Sequence, residues 1–193
     1  MPQNRVRVIG GRWRSRLLRF PAAPGLRPTP DRVRETLFNW LGQDLSGLAC
    51  LDLFAGSGAL GFEAASRGAR PVVLVEWDRR VTESLQACAR ALQTDGPEGG
   101  AVEVVRADAL EFLQYDRRSY DVIFVDPPYA FWEQSGQSLT LLFARLAPRL
   151  TPAAGVYLEA PRFPELPSGW RSLKRSRAGA VHFQLLQHEA DRE

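Results

Sequence analysis

The 193-residue chain has little that would let chemistry run on a metal or a thiol. It holds two cysteines, Cys50 and Cys88, and two histidines, His182 and His188. Two cysteines make neither a disulfide framework nor a metal cluster, and two histidines are too few for a histidine-based metal site. No metal is expected, therefore, and a reducing cytoplasm is the default location. No apolar run approaches the ~20 residues of a membrane span, and no secretory signal pattern opens the sequence. Lysine is almost missing, with Lys174 the single one, and acid is scarce at the start. Residues 1–40 carry nine Arg against Asp31 and Glu35, a balance of +7, whereas the whole chain is +3 and the remainder is −4. A basic arm on a slightly acidic body suits a polyanionic partner. The length fits one domain with a small appendage, and the composition supplies a large apolar core.

The arm alternates. Arg5-Val6-Arg7-Val8-Ile9 and Arg12-Trp13-Arg14-Ser15-Arg16-Leu17 flank Gly10-Gly11, a pattern that predicts a β-hairpin turning at the glycines. Period-2 spacing puts Arg5 and Arg7 on one face, and Arg12, Arg14 and Arg16 together on one face of the second strand. Each guanidinium could meet a phosphate bidentately or simply remain solvated. Residues 21–30 form a linker rich in Pro and Gly. Thr29-Pro30 reads as an N-cap and first helical residue of a helix running to about Gly42. Val33, Leu37, Phe38, Trp40 and Leu41 form its core stripe. Arg27, Thr29 and Arg32 at its start either face a ligand or stay structural.

Beyond the arm, strands and helices alternate. Strands are predicted at 48–54, 71–76, 102–105, 120–125 and 155–159, with helices to about Arg67, over 79–92 and over most of 133–150, and a loop at 94–100. Two closing strands, 170–177 and 180–186, meet through Ala178-Gly179. Alternation of this kind means a parallel α/β sheet, to which a final hairpin adds an antiparallel strand.

Tyr120-Asp121-Val122-Ile123-Phe124-Val125 is apolar and β-branched, as in a strand buried on both faces, and it runs into Asp126-Pro127-Pro128-Tyr129. Two prolines end the ladder, so an acid and an aromatic are held at a strand's carboxyl end, where open α/β sheets bind ligands. Upstream, Gly56-Ser57-Gly58-Ala59-Leu60-Gly61 fits G-x-G-x-x-G, a loop that lets a ligand approach the backbone. Glu76 lies 24 residues beyond Asp52, at the end of the next strand, where a carboxylate can accept from both hydroxyls of a ribose. These two features also fit NAD and specify only a nucleoside ligand.

Asp52-Leu53-Phe54-Ala55-Gly56-Ser57-Gly58 resembles the first motif of Rossmann-like S-adenosylmethionine (AdoMet) methyltransferases. Asp126-Pro127-Pro128-Tyr129 resembles the fourth motif of the amino-methyltransferases, which modify exocyclic nitrogens of bases. Arg7-Val8-Ile9-Gly10-Gly11, the linker from Gly25 through Arg27-Pro28-Thr29 to Glu35, Val75-Glu76-Trp77-Asp78 and Gly155-Val156-Tyr157-Leu158-Glu159 occur in the same order as in one family. Over essentially the full chain the sequence resembles the bacterial RsmD family, which methylates the N2 amine of one guanine in 16S rRNA.

The resemblance implies a mostly parallel, seven-stranded Rossmann-like sheet with helices on both faces plus the small hairpin. It divides the chain into a basic arm and linker, 1–28, and a methyltransferase domain, 29–193. It implies that AdoMet is bound by Asp52, Phe54, Gly56, Ser57, Gly58, Glu76, Trp77, Asp108 and Ala109. Asp126, Pro127, Pro128 and Tyr129 would hold the target base, and Arg5, Arg7, Arg12, Arg14, Arg16, Arg19 and Arg27 the RNA. The implied partner is 16S rRNA, free or within a 30S particle, and the chain is expected to act as a monomer. An amine delocalised into a base is a poor nucleophile, so the expected chemistry is positioning, with Asp126 and the Pro127 carbonyl accepting the amine hydrogens and Tyr129 stacking on a flipped base. Three rivals remain at this point: a DNA adenine-N6 or cytosine-N4 methyltransferase, a protein-glutamine methyltransferase, and a non-catalytic RNA-binding assembly factor.

Overall fold

The computed structural model describes residues 3–23, 26, 28–93, 102–133 and 137–189. The predicted loop at 94–100 and Arg27 lie outside the described residues.

Two sheets are present. In the arm, β1 (Gln3–Arg7) pairs antiparallel with β2 (Leu17–Pro21), with Arg5 opposite Arg19 and Val6 opposite Leu18. The body follows as α1 (Asp31–Leu41), β3 (Cys50–Asp52), α2 (Ala59–Ser66), β4 (Val72–Glu76), α3 (Arg79–Gln93), β5 (Val102–Arg106) and α4 (Ala109–Tyr115). Then come β6 (Tyr120–Val125), α5 (Tyr129–Glu133), α6 (Gln137–Leu146), β7 (Leu150–Ala160), β8 (Trp170–Ala178) and β9 (Val181–His188). The large sheet has the order β5-β4-β3-β6-β7-β9-β8, in which β9 is antiparallel to both its neighbours and the other pairs are parallel. The predicted α/β class, the seven strands and the closing hairpin are therefore present.

Both faces of the sheet are covered, which is why β4 and β6 read as continuous apolar runs. Val33, Leu37 and Phe38 of α1, Phe62 of α2 and Leu85 of α3 pack on one face, with Phe124 and Tyr157 from the sheet. Phe112 of α4, Phe131 of α5 and Leu142 of α6 pack on the other, with Ile123, Val125 and Leu158. α2 is buried along its whole length, Glu63 included. Its small residues (Ala59, Gly61, Ala64, Ala65, Ser66) allow that close packing.

The arm differs from its prediction. Gly10-Gly11 is not a hairpin turn, and Arg12, Arg14 and Arg16 do not share a strand face. Residues 8–16 form a broad loop that bonds to itself, as Val8 N–H does to the Arg16 carbonyl at 2.9 Å, and also to α2: Ile9 N–H donates to Glu63 at 2.8 Å, Arg12 N–H to the Ser66 carbonyl at 2.7 Å and Trp13 N–H to Ser66 Oγ at 2.8 Å. Gly11 explains the approach. Its φ is +70°, and a Cβ there would lie 2.0 Å from the Ser66 carbonyl oxygen. Trp13 is buried, and Val6, Val8, Leu18 and Phe20 join the cluster under α1–α3. Each such side chain contributes about 1.5–3 kcal/mol of burial, so the arm is stitched to the body.

Candidate active site

The site is built along the carboxyl ends of adjacent strands. Cross-strand partners point to one face of a sheet. Asp52 pairs with Phe124 and Leu74, and Glu76 stands two residues beyond Leu74 on β4. Val125 pairs with Leu158, so Asp126 and Glu159 come next on their parallel strands. Parity puts Asp52, Glu76, Asp126 and Glu159 on a single face, the one covered by α1–α3. Among the described residues none of the four makes an ion pair with a basic side chain.

Each carboxyl has a defined neighbour. Asp52 is buried and accepts from Gly61 N–H at 2.9 Å. Gly58, the N-cap of α2, has no side chain with which to satisfy that first-turn donor, so Asp52 does so from the preceding strand. Gly58 itself must be glycine: φ is +76°, and a Cβ would lie 2.6 Å from the Phe62 ring. Burial pushes the Asp52 carboxyl up to about 7, against the lowering effect of the Gly61 bond. Glu76 accepts from Gly56 N–H at 3.0 Å and Asp78 N–H at 2.8 Å, and burial still raises its pKa. These bonds tie the glycine loop to the end of β4.

Asp126 is half-buried and stands well above the usual carboxylate range, first through desolvation and then through the charges of Glu159 and Asp52. The Thr29 hydroxyl donates to it and partly offsets the rise. Glu159 is raised by burial and accepts from the Tyr157 hydroxyl at 2.9 Å. The sequence reading gave neither Thr29 nor Glu159 a role beside Asp126. Thr29 was expected to cap α1, but Pro30 holds that position and makes no side-chain cap, which leaves the Thr29 hydroxyl for Asp126.

Pro127 is buried, while Pro128 and Tyr129 are exposed, Tyr129 at 67%. The Pro128 carbonyl accepts from Phe131 N–H at 2.9 Å, so α5 starts at Tyr129, four residues earlier than the pattern predicts. Phe54 meets Phe131 edge-on at 5.9 Å, which braces the glycine loop against α5. Ser57 is buried in that loop. Trp77 is 69% exposed beside Glu76. Asp108 caps α4, a helix the sequence reading missed, and accepts from Glu111 N–H at 3.0 Å; Ala109 behind it is buried. Leu26 of the linker reaches the glycine loop, where its Cδ1 lies 2.9 Å from the place a Gly56 Cβ would take. Arg5, Arg7, Arg12, Arg14, Arg16 and Arg19 are all exposed. Arg7 lies 3.4 Å from Asp31, and the Arg12 guanidinium sits over the Trp13 ring at 4.8 Å. The loop bearing Arg12, Arg14 and Arg16 is docked at the carboxyl end of α2, the end of the sheet opposite the carboxylate row. Among the described residues no His/Cys/Asp/Glu group could hold a metal, and no helix is long and apolar enough to cross a membrane.

Residues 6–187 match the family described as Conserved hypothetical protein 95. Ribosomal RNA small subunit methyltransferase D of Escherichia coli K12 is 40% identical over 193 residues, covering 98% of this chain and 93% of that protein. The chain belongs to the RsmD family. The family member from Haemophilus influenzae is also 40% identical, over 96% of this chain and 95% of its own. The solved structure of the Escherichia coli protein yhhF superposes with a TM-score of 0.81 at 40% identity, covering 97% of this chain and 100% of that one. At 20% identity, an RNA methyltransferase from Salinibacter ruber, solved in complex with S-adenosyl-L-homocysteine, shares the fold with a TM-score of 0.59 over 86% of this chain and 96% of its own. The RsmD-family chain is thus a methyltransferase by family and by fold.

Proposed function

We propose that the chain transfers a methyl group from AdoMet to the exocyclic N2 amine of a guanine in small-subunit ribosomal RNA. The observation that carries this reading is the row of four carboxyl groups on one face at the strand ends, with no basic partner among the described residues. Buried charge that the protein leaves uncompensated is costly. A ligand bearing positive charge removes that cost, and AdoMet carries both a sulfonium and an ammonium. When bound, it supplies a strongly electrophilic methyl group.

The chain's own residues supply position. Glu76 retains lone pairs on both oxygens for the two ribose hydroxyls, and exposed Trp77 offers a flat apolar surface beside them. Asp108 keeps its second oxygen for an adenine amino group, next to Ala109. Gly56, Ser57 and Gly58 let the ligand approach the backbone where Phe54 and Phe131 brace the loop. Asp52 acts through its charge, because its carboxylate already holds α2.

Asp126 faces the target amine. Burial and the neighbouring carboxyls raise its pKa, and positive charge beside the row lowers it again, which favours the carboxylate form. It then accepts one amine hydrogen and the Pro127 carbonyl the other, an arrangement that favours the partly positive nitrogen of the transition state. Pro128 stiffens the turn that presents Tyr129, and that exposed ring stacks on the unstacked base. Arg5 and Arg19 are cross-strand partners on the solvent face of the arm, where like charges repel unless an anion lies between them. With Arg7, Arg12, Arg14, Arg16 and Arg27 they supply the arm's cations for RNA phosphates.

The test is methyl transfer from labelled AdoMet to protein-free 16S rRNA, assembled small subunits, DNA and protein. Label on a guanine of 16S rRNA, with N2-methylguanine as the product, is expected. Label on DNA adenine or cytosine, or on protein, would replace the reading.

A further inference from the structure

We infer a second RNA-binding surface, at the β7–β8–β9 corner of the sheet, that takes a single-stranded stretch of the substrate RNA beside the target nucleotide. This deepens the reading above and rests on it. Between 161 and 188 the sequence holds Arg162, Arg171, Lys174, Arg175 and Arg177 against the single acid Glu165, in a body that is otherwise acidic. Arg171 is engaged by Glu189 at 3.3 Å, but among the described residues Arg162, Lys174, Arg175 and Arg177 make no ion pair.

Register gathers two of them. Arg175 pairs with Gln184, which pairs with Leu158, and Arg177 pairs with His182, which pairs with Ala160. Arg175, Arg177, His182 and Gln184 therefore share one face at the strand end that bears Asp126 and Glu159. It is the face on which Phe131 of α5 packs, just beyond Tyr129. Phe163, just past β7 and 37% exposed, completes the group: the Arg175 guanidinium lies over its ring at 5.6 Å, and His182 meets it edge-on at 4.9 Å. His182 Nδ1 and Gln184 Nε2 are buried without hydrogen-bond partners among the described residues.

Basic residues on an edge strand also serve to prevent sheets from pairing edge to edge, and β8 is an edge strand. That role needs charge. It does not need an exposed aromatic under a guanidinium, or two unpartnered polar atoms on the same face, at the strand end of the carboxylate row but across the sheet from it. Cations for phosphates with an aromatic platform for a base are the two parts of a single-strand site. The arm packs on α3, through Ser84 Oγ donating to the Arg19 carbonyl at 2.8 Å, on the β4–β5 side of the sheet. β8 is at the other edge. The arm and this corner therefore stand at opposite edges of the sheet, with the strands that carry the row between them.

The experiment compares the wild type with Arg175→Gln/Arg177→Gln, with Phe163→Leu, which leaves the edge charges in place, and with Arg117→Gln, an exposed Arg at the opposite end of the sheet. Single-turnover methylation is measured against concentration of protein-free 16S rRNA transcript at several salt concentrations, and against assembled small subunits. Melting temperature and AdoMet affinity serve as controls for folding. The double variant should need on the order of tenfold more transcript for half-saturation, with the salt slope reduced by about 0.7 for each phosphate no longer neutralised and the saturated rate unchanged. Phe163→Leu should raise half-saturation on the order of tenfold with little change in salt slope, and Arg117→Gln should match the wild type. Normal half-saturation and slope for both site variants would overturn the inference. So would a defect confined to assembled subunits, which would assign the surface to a ribosomal protein. A wild type that methylates no RNA would end the proposed function first, and this inference with it.

Discussion

The molecule holds two clusters of buried charge, a few residues apart across α1, and they are built to opposite rules. Under the arm, Glu63 is fully buried between two arginines, with Arg67 at 2.8 Å and the fully buried Arg34 at 3.4 Å. Arg34 also meets Asp31 at 2.6 Å, Ile9 N–H donates to Glu63, and Arg67 donates to Gln43. Every charge there has its opposite inside the protein. At the strand ends Asp52, Glu76, Asp126 and Glu159 stand together with backbone and hydroxyl donors but no cation among the described residues. The first arrangement joins the arm to α1 and α2, and the second is the one that the proposed function completes with a ligand. Thr29 links them through two bonds: Arg34 Nε donates to its carbonyl at 3.2 Å, and its hydroxyl donates to Asp126.

The contrast should appear first in stability. Glu63→Gln leaves two buried guanidinium groups without their carboxylate and should cost about 3–5 kcal/mol in a denaturant titration. Asp52→Asn removes a charge the fold carries at a loss. The Asp52 carboxyl is raised from its ordinary 3.8 to about 7, so between those values the native protein holds a proton that the unfolded chain has released. Stability from this group therefore falls as pH rises through that window and is level above it. Asp52→Asn should lose little stability at pH 8, and should flatten the decline of melting temperature between pH 4 and 7. Equal losses for the two variants at pH 8 would erase the distinction.

The next effect is on chemistry. Asp126→Ala should keep the fold and nearly all AdoMet affinity while single-turnover methylation falls by ~10²–10³, the range for one preorganised group. Tyr129→Ala should weaken RNA binding by about 1–3 kcal/mol, whereas Tyr129→Phe should keep most activity because the ring does the stacking. Smallest is Thr29→Val, which keeps shape and removes the hydroxyl. A fall of about tenfold in rate, with AdoMet affinity and melting temperature unchanged, is expected from one lost bond to a charged group. No change would cut the link between the two clusters.

Much of this was legible in the sequence because it is local. The run at 120–125 is a buried strand to the residue, and its prolines stop it where expected. Glu76 and the glycine loop fall at strand ends because the α/β alternation puts them there. What was not legible depends on partners far along the chain. Alternation at 12–17 implies a strand, but the backbone donors of Ile9, Arg12 and Trp13 find Glu63 and Ser66 more than 50 residues away, and the loop docks instead. Thr29 looks like a cap until Asp126 is seen beside it. Glu159 gains meaning only from the register of β7 on β6, and α4 was missed because seven residues carry too little periodicity.

The central claim is that Asp52, whose carboxyl burial raises to about 7, gives up a proton when a cationic ligand fills the row. Calorimetry of AdoMet binding near pH 6.5, in buffers of different ionisation enthalpy, tests it directly. Binding should release protons, affinity should rise from pH 5.5 to 7, S-adenosylhomocysteine, which lacks the sulfonium, should release fewer, and Asp52→Asn should diminish the release. A binding enthalpy independent of buffer, with affinity flat across that range, would contradict the account.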